Sequence, residues 1–156
     1  MTGLMASVPT AQALSCAQPN IERELERAKA SDKIYHIFVG KVSTPKTFSL
    51  PQEKPRPNGG VLQLSHPDRS QVLNATFTGY SLAKDEGSDV PLVDYPLTVN
   101  VTCAASWCGS APRRGETIVA FVEAVDGAPP VLTRGPCTGS GHVYSPYVIE
   151  TLRNGL

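Results

Sequence analysis

The residues best suited to chemistry in this chain are its four cysteines, Cys16, Cys103, Cys108 and Cys137. Two of them stand close together in the stretch VTCAASWCGSAP, where they flank Trp107, the one tryptophan of the sequence. Neighbouring cysteines can form a redox centre, ligate a metal or close a structural disulfide. These three hypotheses decide whether the protein is a catalyst or a binding module.

Redox catalysis is the most specific of the three hypotheses, because Trp-Cys-Gly also begins a thioredoxin-type motif. Such an enzyme needs a second thiol at the end of a C-x-x-C sequence, at the start of a helix. Ala111 occupies that position here, and the following PRRGETIVAF is typical of a turn and a strand. A thiol redox protein is therefore the remote alternative.

Metal and hydrolase sites also lack their usual patterns. The three histidines, His36, His66 and His142, are scattered, and none belongs to an H-x-x-x-H pair or stands beside a C-x-x-C pair. The sequence contains no G-x-S-x-G elbow and no C-x-x-C-H haem attachment site. We therefore predict no metal, no cofactor and no enzymatic activity.

Charge and hydropathy limit the possible partners. The 156 residues include 14 basic and 14 acidic side chains, which gives a net charge of +0 at pH 7. A nucleic-acid or anionic-membrane partner would require a basic patch, and the basic residues here are scattered. No apolar run reaches the roughly 20 residues of a membrane-spanning helix. We expect no nucleic-acid partner and no membrane span.

The N-terminal segment indicates export. It carries no charged side chain before Cys16, and Ala11-Gln12-Ala13 has the A-x-A form of a signal-peptidase site. We interpret residues 1–13 as the remains of a signal peptide and residues 14–156 as one domain. An exported protein with an even number of cysteines is expected to contain disulfides, in a secreted or periplasmic location.

The elements that position these cysteines are predicted to be mainly strands. A short helix runs from an Asn20 N-cap to about Ser31, and another follows a Ser145 N-cap with Pro146 at its first position. Residues 84–96 are predicted to form a polar connection. Five segments have strand patterns, and they favour a small closed barrel or a sandwich: 33–44, an interrupted strand of 61–66 and 71–84, 97–103, 116–125 and 130–137.

The order of these features resembles the netrin-like domain, and most closely the bacterial relatives of the tissue inhibitors of metalloproteinases. The resemblance rests on Cys16 with Ala-x-Pro after it, a first strand ending FVGKV, the loop SWCG, a strand-turn-strand with Asp-Gly, and a closing Cys137. It covers about residues 16–137. It implies a five-stranded OB-type closed β-barrel with short N-terminal and C-terminal helices.

The resemblance also implies a disulfide pattern and a change in function. The family begins C-x-C-x-x-P, and Leu14 stands where its first cysteine would be. The implied pairing is therefore Cys16–Cys137 with Cys103–Cys108, and the alternative is Cys16–Cys108 with Cys103–Cys137. In the inhibitors, the amine and carbonyl of the first cysteine chelate the protease zinc. This chelation is expected to be missing if the mature chain starts at Leu14.

Two classes of binding function remain. The first is binding of another protein, with proteases among the candidates, through the N-terminal segment and the adjacent loop. The candidate residues for this surface are Cys16, Ser106, Trp107, Cys108 and Gly109. The alternative is an OB-face binder of a saccharide, peptide or small ligand that uses Tyr80, Tyr95 and Trp107.

Overall fold

The computed structural model of this chain describes Cys16 and residues 19–44, 70–104, 107–137 and 141–156. Residues 1–13, the predicted strand segment 61–66 and Ser106 lie outside the described residues. The helices are α1 (Ile21–Ala30) and α2 (Pro146–Gly155), with a short 3-10 helix at Glu86–Ser88. The strands are β1 (Tyr35–Ser43), β2 (Gln71–Ser81), β3 (Val90–Val101), β4 (Cys103–Ala104), β5 (Trp107–Cys108), β6 (Thr117–Glu123), β7 (Val131–Arg134) and β8 (His142–Val143).

Five of these strands form a closed barrel in the order β1, β2, β3, β7, β6, and the pairing of β1 with β6 completes the circle. The neighbours are antiparallel except β3 and β7, which are parallel. β8 adds to the free edge of β6. The predicted fold class, mainly β with a closed five-stranded barrel, two helices and two disulfides, is confirmed.

The barrel interior is built from side chains that alternate along the strands. Phe77, Leu97, Val99 and Leu132 are almost completely buried in this core, as the period of two in a strand requires. β6 contributes to two layers, because Ile118 faces the interior while Val119 faces the helices. Burial on both faces explains why its sequence is a continuous apolar run rather than an alternating one.

Both helices pack over the outside of the barrel. Ile21 and Leu25 of α1 meet Leu152 of α2 in a second cluster above Val119 and Phe121. Their N-caps are those the sequence predicts: the Asn20 and Ser145 side chains accept hydrogen bonds from main-chain N–H groups of the first turns. No helix in the described residues is long and apolar enough to cross a membrane.

A close approach of β1 and β2 depends on glycine. Gly40 of β1 is opposite Gly79 of β2. A Cβ on either residue would lie 2.7 Å from the Cα atom of the other, which is closer than any real contact. Both positions therefore require glycine for the strands to pair at this distance.

One predicted boundary is wrong, because the predicted connection 84–96 contains half of a strand. β3 already begins at Val90, and Pro91 and Pro96 both belong to it. In the described structure this half pairs with β2 on one side, so its prolines are tolerated as they are on an edge strand. A bulge follows Phe77, and opposite it Asp94 has a φ of 46°, which favours Asp over most residues.

Candidate functional site

One disulfide fastens the N-terminal segment to the end of the last barrel strand. Cys16 is bonded to Cys137, with their Cα atoms 5.0 Å apart. Cys137 lies three residues after Arg134, where β7 ends. Because α1 starts a few residues after Cys16, the bond fixes the point from which the chain enters the helix. Cys16 itself is exposed.

The second disulfide closes a small hairpin at the end of β3. β4 and β5 pair antiparallel, with Cys103 opposite Cys108 and their Cα atoms 4.0 Å apart. Trp107 stands on this hairpin, and 60% of its surface is exposed. All four cysteines are therefore paired, in the arrangement that the netrin-like resemblance implies.

The two disulfides share one end of the barrel because β3 and β7 are parallel and end side by side. Val101 of β3 is level with Arg134 of β7. The Thr102 N–H donates to the Arg134 carbonyl at 2.9 Å, and the Gly109 N–H donates to the Thr102 carbonyl at 2.9 Å. We call this surface, defined by Cys16, Cys137 and the hairpin 103–108, the disulfide end.

Arg134 ties the hairpin to the barrel with its side chain as well as its backbone. Its Nε donates to the Ser110 carbonyl at 3.0 Å. Burial lowers the pKa of this guanidinium, and the Glu116 carboxylate opposes that effect. Gly109 is packed so closely on Arg134 that a Cβ there would overlap the Arg134 carbonyl. The position of the hairpin is therefore fixed by contacts beyond its own disulfide.

The described protein-binding candidates all belong to the disulfide end. Cys137 is at most about 11 Å from Arg134, since a chain extends by no more than about 3.6 Å per residue. Its partner Cys16, whose Cα atom is 5.0 Å from that of Cys137, is therefore within about 16 Å of Arg134, to which the hairpin with Trp107, Cys108 and Gly109 is bonded. Ser106 lies outside the described residues.

The residues of the proposed OB-face site are not brought together. Tyr95 packs against Phe38 of the barrel core, with 5.9 Å between their ring centres. Tyr80 packs with the outer cluster and is paired with Pro91, ten positions before Val101 in β3. Measured along β3, at most about 33 Å of strand separates the residue paired with Tyr80 from Val101. The three aromatic residues do not form one surface.

Tyr80 instead lines a groove of about 740 Å³, together with Tyr144. One wall is held by Arg153, whose Nη1 and Nη2 lie 3.0 and 2.5 Å from the two Asp89 carboxylate oxygens. Asp89 also accepts from the Ala83 N–H at 2.8 Å. Burial raises the pKa of the Tyr80 phenol, so it remains neutral. We call this surface, defined by Tyr80, Asp89 and Arg153, the helix end.

A second cavity, which the sequence analysis missed, lies under α1. It has a volume of about 430 Å³ and contains the Glu24 side chain in its wall. Glu24 is 8% exposed, and its Oε2 lies 3.0 Å from His142 Nε2. The sequence could have indicated this buried carboxylate, because Glu24 is on the same face of the helix as Ile21 and Ala28, and that face is otherwise apolar.

Comparison of the chain with protein-family models, with curated proteins and with solved structures gives no match. Within the described ranges, no three His, Cys, Asp or Glu side chains are grouped so that they could hold a metal ion. The site is therefore characterised by its own geometry: an exposed tryptophan on a stapled hairpin beside a covalently anchored N-terminal segment.

Proposed function

We propose that this chain is an exported, non-enzymatic module that binds another protein through its disulfide end. The observation that carries the proposal is the 60% exposed Trp107 on a hairpin whose position is fixed by a disulfide and by Arg134. Exposed tryptophans on rigid supports are the residue type that most often dominates protein interfaces, because they bury a large area at little entropic cost.

The fold supports an OB-type, netrin-like assignment as part of this proposal. The order β1, β2, β3, β7, β6 with one parallel pair is the arrangement expected of a five-stranded Greek-key barrel. The disulfide between Cys16 and Cys137 joins the two cysteines that the resemblance aligns with a family pair. Two disulfides are also what an oxidising compartment would maintain, so we propose a secreted or periplasmic location.

The capture experiment uses oxidised full-length protein, immobilised and exposed to periplasm or culture supernatant of the source organism, with mass spectrometry of what is retained. The test variant is Trp107→Ala, and the matched control is Val93→Ala, because Val93 is 75% exposed on β3. A partner captured by the native protein and by V93A, but not by W107A, supports the proposal. Equal capture by W107A contradicts it.

Fluorescence gives a second and more direct measurement with the purified partner. Trp107 is the one tryptophan of the sequence, so the emission that remains after subtracting the spectrum of the partner alone reports on this position. A partner that covers Trp107 should shift the emission to shorter wavelength and protect it from quenching by iodide. Binding without either change would place the interface elsewhere on the molecule.

The resemblance to metalloproteinase inhibitors leads to a separate expectation about inhibition of zinc proteases by chelation. If the mature chain starts at Leu14, no cysteine amine is available to chelate a protease zinc, and we expect no nanomolar inhibition in a panel of zinc endopeptidases. N-terminal sequencing of the exported protein is the first measurement. A mature terminus at Cys16 would restore a free amine on an anchored cysteine, and potent inhibition would then make protease inhibition the leading function.

The alternative function, binding of a saccharide, peptide or small ligand, is favoured by one observation. Tyr80 and Tyr144 line the groove of the helix end, where two aromatic faces could stack on a ligand. Because Trp107 does not line this groove, the two functions can be separated. Loss of ligand binding in Tyr80→Ala but not in W107A would support the alternative.

A further inference from the structure

We propose that the cavity under α1 is a binding site for a small amphipathic amine, with the ammonium group on Glu24 and the apolar body against the barrel wall. This site is separate from the disulfide end and does not depend on its function. Its volume of about 430 Å³ lies within the range of about 300–1,000 Å³ that is usual for small-molecule sites.

The cavity lies where strands β6 and β7 separate beneath α1. In the described part of the chain, β6 and β7 pair through Glu123 and Val131 and then diverge. Phe121 and Thr133, the next residues on these strands with the same orientation, line the cavity and are not paired with each other. Phe121, which also packs in the cluster with α1, lines the cavity together with Val131 and Tyr35, and the three residues give it an apolar surface.

Glu24 supplies the polar end of the site. It is 8% exposed, and one of its oxygens is engaged with His142 at 3.0 Å. The other, Oε1, lies 4.0 Å from an Arg27 nitrogen, which is beyond hydrogen-bond distance. A buried carboxylate oxygen can accept further hydrogen bonds, and leaving this capacity unused is costly. A donor entering from the cavity would satisfy it.

The distribution of charge favours a cation over an anion. The acidic groups lie deep, with Glu24 at 8% and Glu123 at 26% exposure, whereas the basic groups Arg27 and Lys33 are 62% and 53% exposed. Lys33 is held by Glu123 at 2.9 Å. A ligand inside the cavity therefore meets carboxylates first, and the two cations stay at its solvent side. An ammonium group on an apolar body matches this pattern.

The first experiment compares two probes with the same apolar body, phenylbutylamine and phenylbutyrate, on the full-length oxidised protein at neutral pH. Calorimetry should show that the amine binds at least about tenfold more tightly, the difference expected for one hydrogen-bonded charge. Amide NMR shifts should be confined to α1 and the facing ends of β6 and β7. Equal affinities, no saturable binding, or shifts elsewhere would overturn the proposal.

The second experiment removes the charge with Glu24→Gln, which retains an acceptor for His142. The matched control is Glu22→Gln, an exposed residue of the same helix. Affinity for phenylbutylamine should fall about tenfold in E24Q and stay unchanged in E22Q. Unchanged affinity in E24Q would contradict the role of Glu24.

A cavity-filling variant keeps the proposal testable if E24Q does not fold. Val131→Phe adds volume to the cavity wall without changing charge and keeps a residue type that strands accept. It should abolish binding of phenylbutylamine while the far-UV circular dichroism remains native. Native affinity in V131F would show that the amine binds outside the cavity.

Discussion

Two regions of this barrel, the disulfide end and the helix end, are held by different kinds of interaction. The disulfide end is fastened by Cys16–Cys137 and Cys103–Cys108, whereas the described part of the helix end is held by packing of α2 and by the Asp89–Arg153 pair. A disulfide acts mainly on the unfolded chain, whose freedom it restricts. An ion pair acts on the folded state and depends on pH and on solvent access. The comparison predicts that substitutions in the two regions lower the free energy of unfolding by different amounts, and that only the loss at the helix end depends on pH.

The largest effect is expected from removing the long disulfide. Replacing Cys16 and Cys137 by Ser should lower the free energy of unfolding by about 5 kcal/mol, because the bond closes a loop with a sequence separation of 121. The same change at Cys103 and Cys108, with a separation of 5, should cost about 2 kcal/mol. Urea denaturation of both variants measures this, and equal or reversed losses would show that native-state contacts dominate.

At the helix end, Arg153→Met should lower the free energy of unfolding by about 2 kcal/mol. The change removes both hydrogen bonds to Asp89 and one to the Ala83 carbonyl at 2.6 Å, at a position where the side chains are 17% exposed. The control is Lys29→Met, which breaks an exposed pair with Glu26 and should cost less than about 0.5 kcal/mol. Similar losses of stability in both variants would mean that the Asp89–Arg153 pair contributes no more than a surface ion pair.

The structural features behind these predictions differ in how far they could be predicted from the sequence. The helix caps at Asn20 and Ser145 follow from local chemistry, and both were predictable. Alternation along the strands also predicts that Tyr80 faces outward when Phe77 faces inward. It does not predict how far apart Tyr80 and Trp107 lie, because that distance depends on strand pairing. The aromatic residues were therefore assigned to one surface that does not exist.

The start of β3 and the role of Glu24 were missed for a related reason. Pro91, Asp94 and Pro96 indicate a connection when they are considered locally. They are tolerated because this half of β3 pairs with β2 and bulges at Asp94. Glu24 is one of two acidic residues in the first turn of α1, and only the approach of His142, over a hundred residues later, gives it a buried partner.

The ion pair at the helix end should also make stability depend on pH, which the disulfide end does not share. The hydrogen bonds from Arg153 lower the pKa of Asp89 below its ordinary value of 3.8, so folding favours the charged carboxylate. This contribution is complete above the ordinary value and is lost as the pH falls through the lowered one. The stability difference between the native protein and Asp89→Asn should thus be constant near neutral pH and shrink below 3.8. A difference that stays constant at acidic pH would remove Asp89 as the source.

The smallest effect on stability is expected at the residue that we consider most important for binding. Trp107→Ala should change the free energy of unfolding by less than about 0.5 kcal/mol, because 60% of the side chain is exposed and the hairpin is fixed without it. Surface substitutions away from packed features generally have effects of this size. The same change should abolish partner binding, so stability and function would separate at this position. A loss of stability near that of the Cys103 and Cys108 variant would instead show that the indole is part of the hairpin's own packing, and that the disulfide end is built to hold its shape rather than to bind.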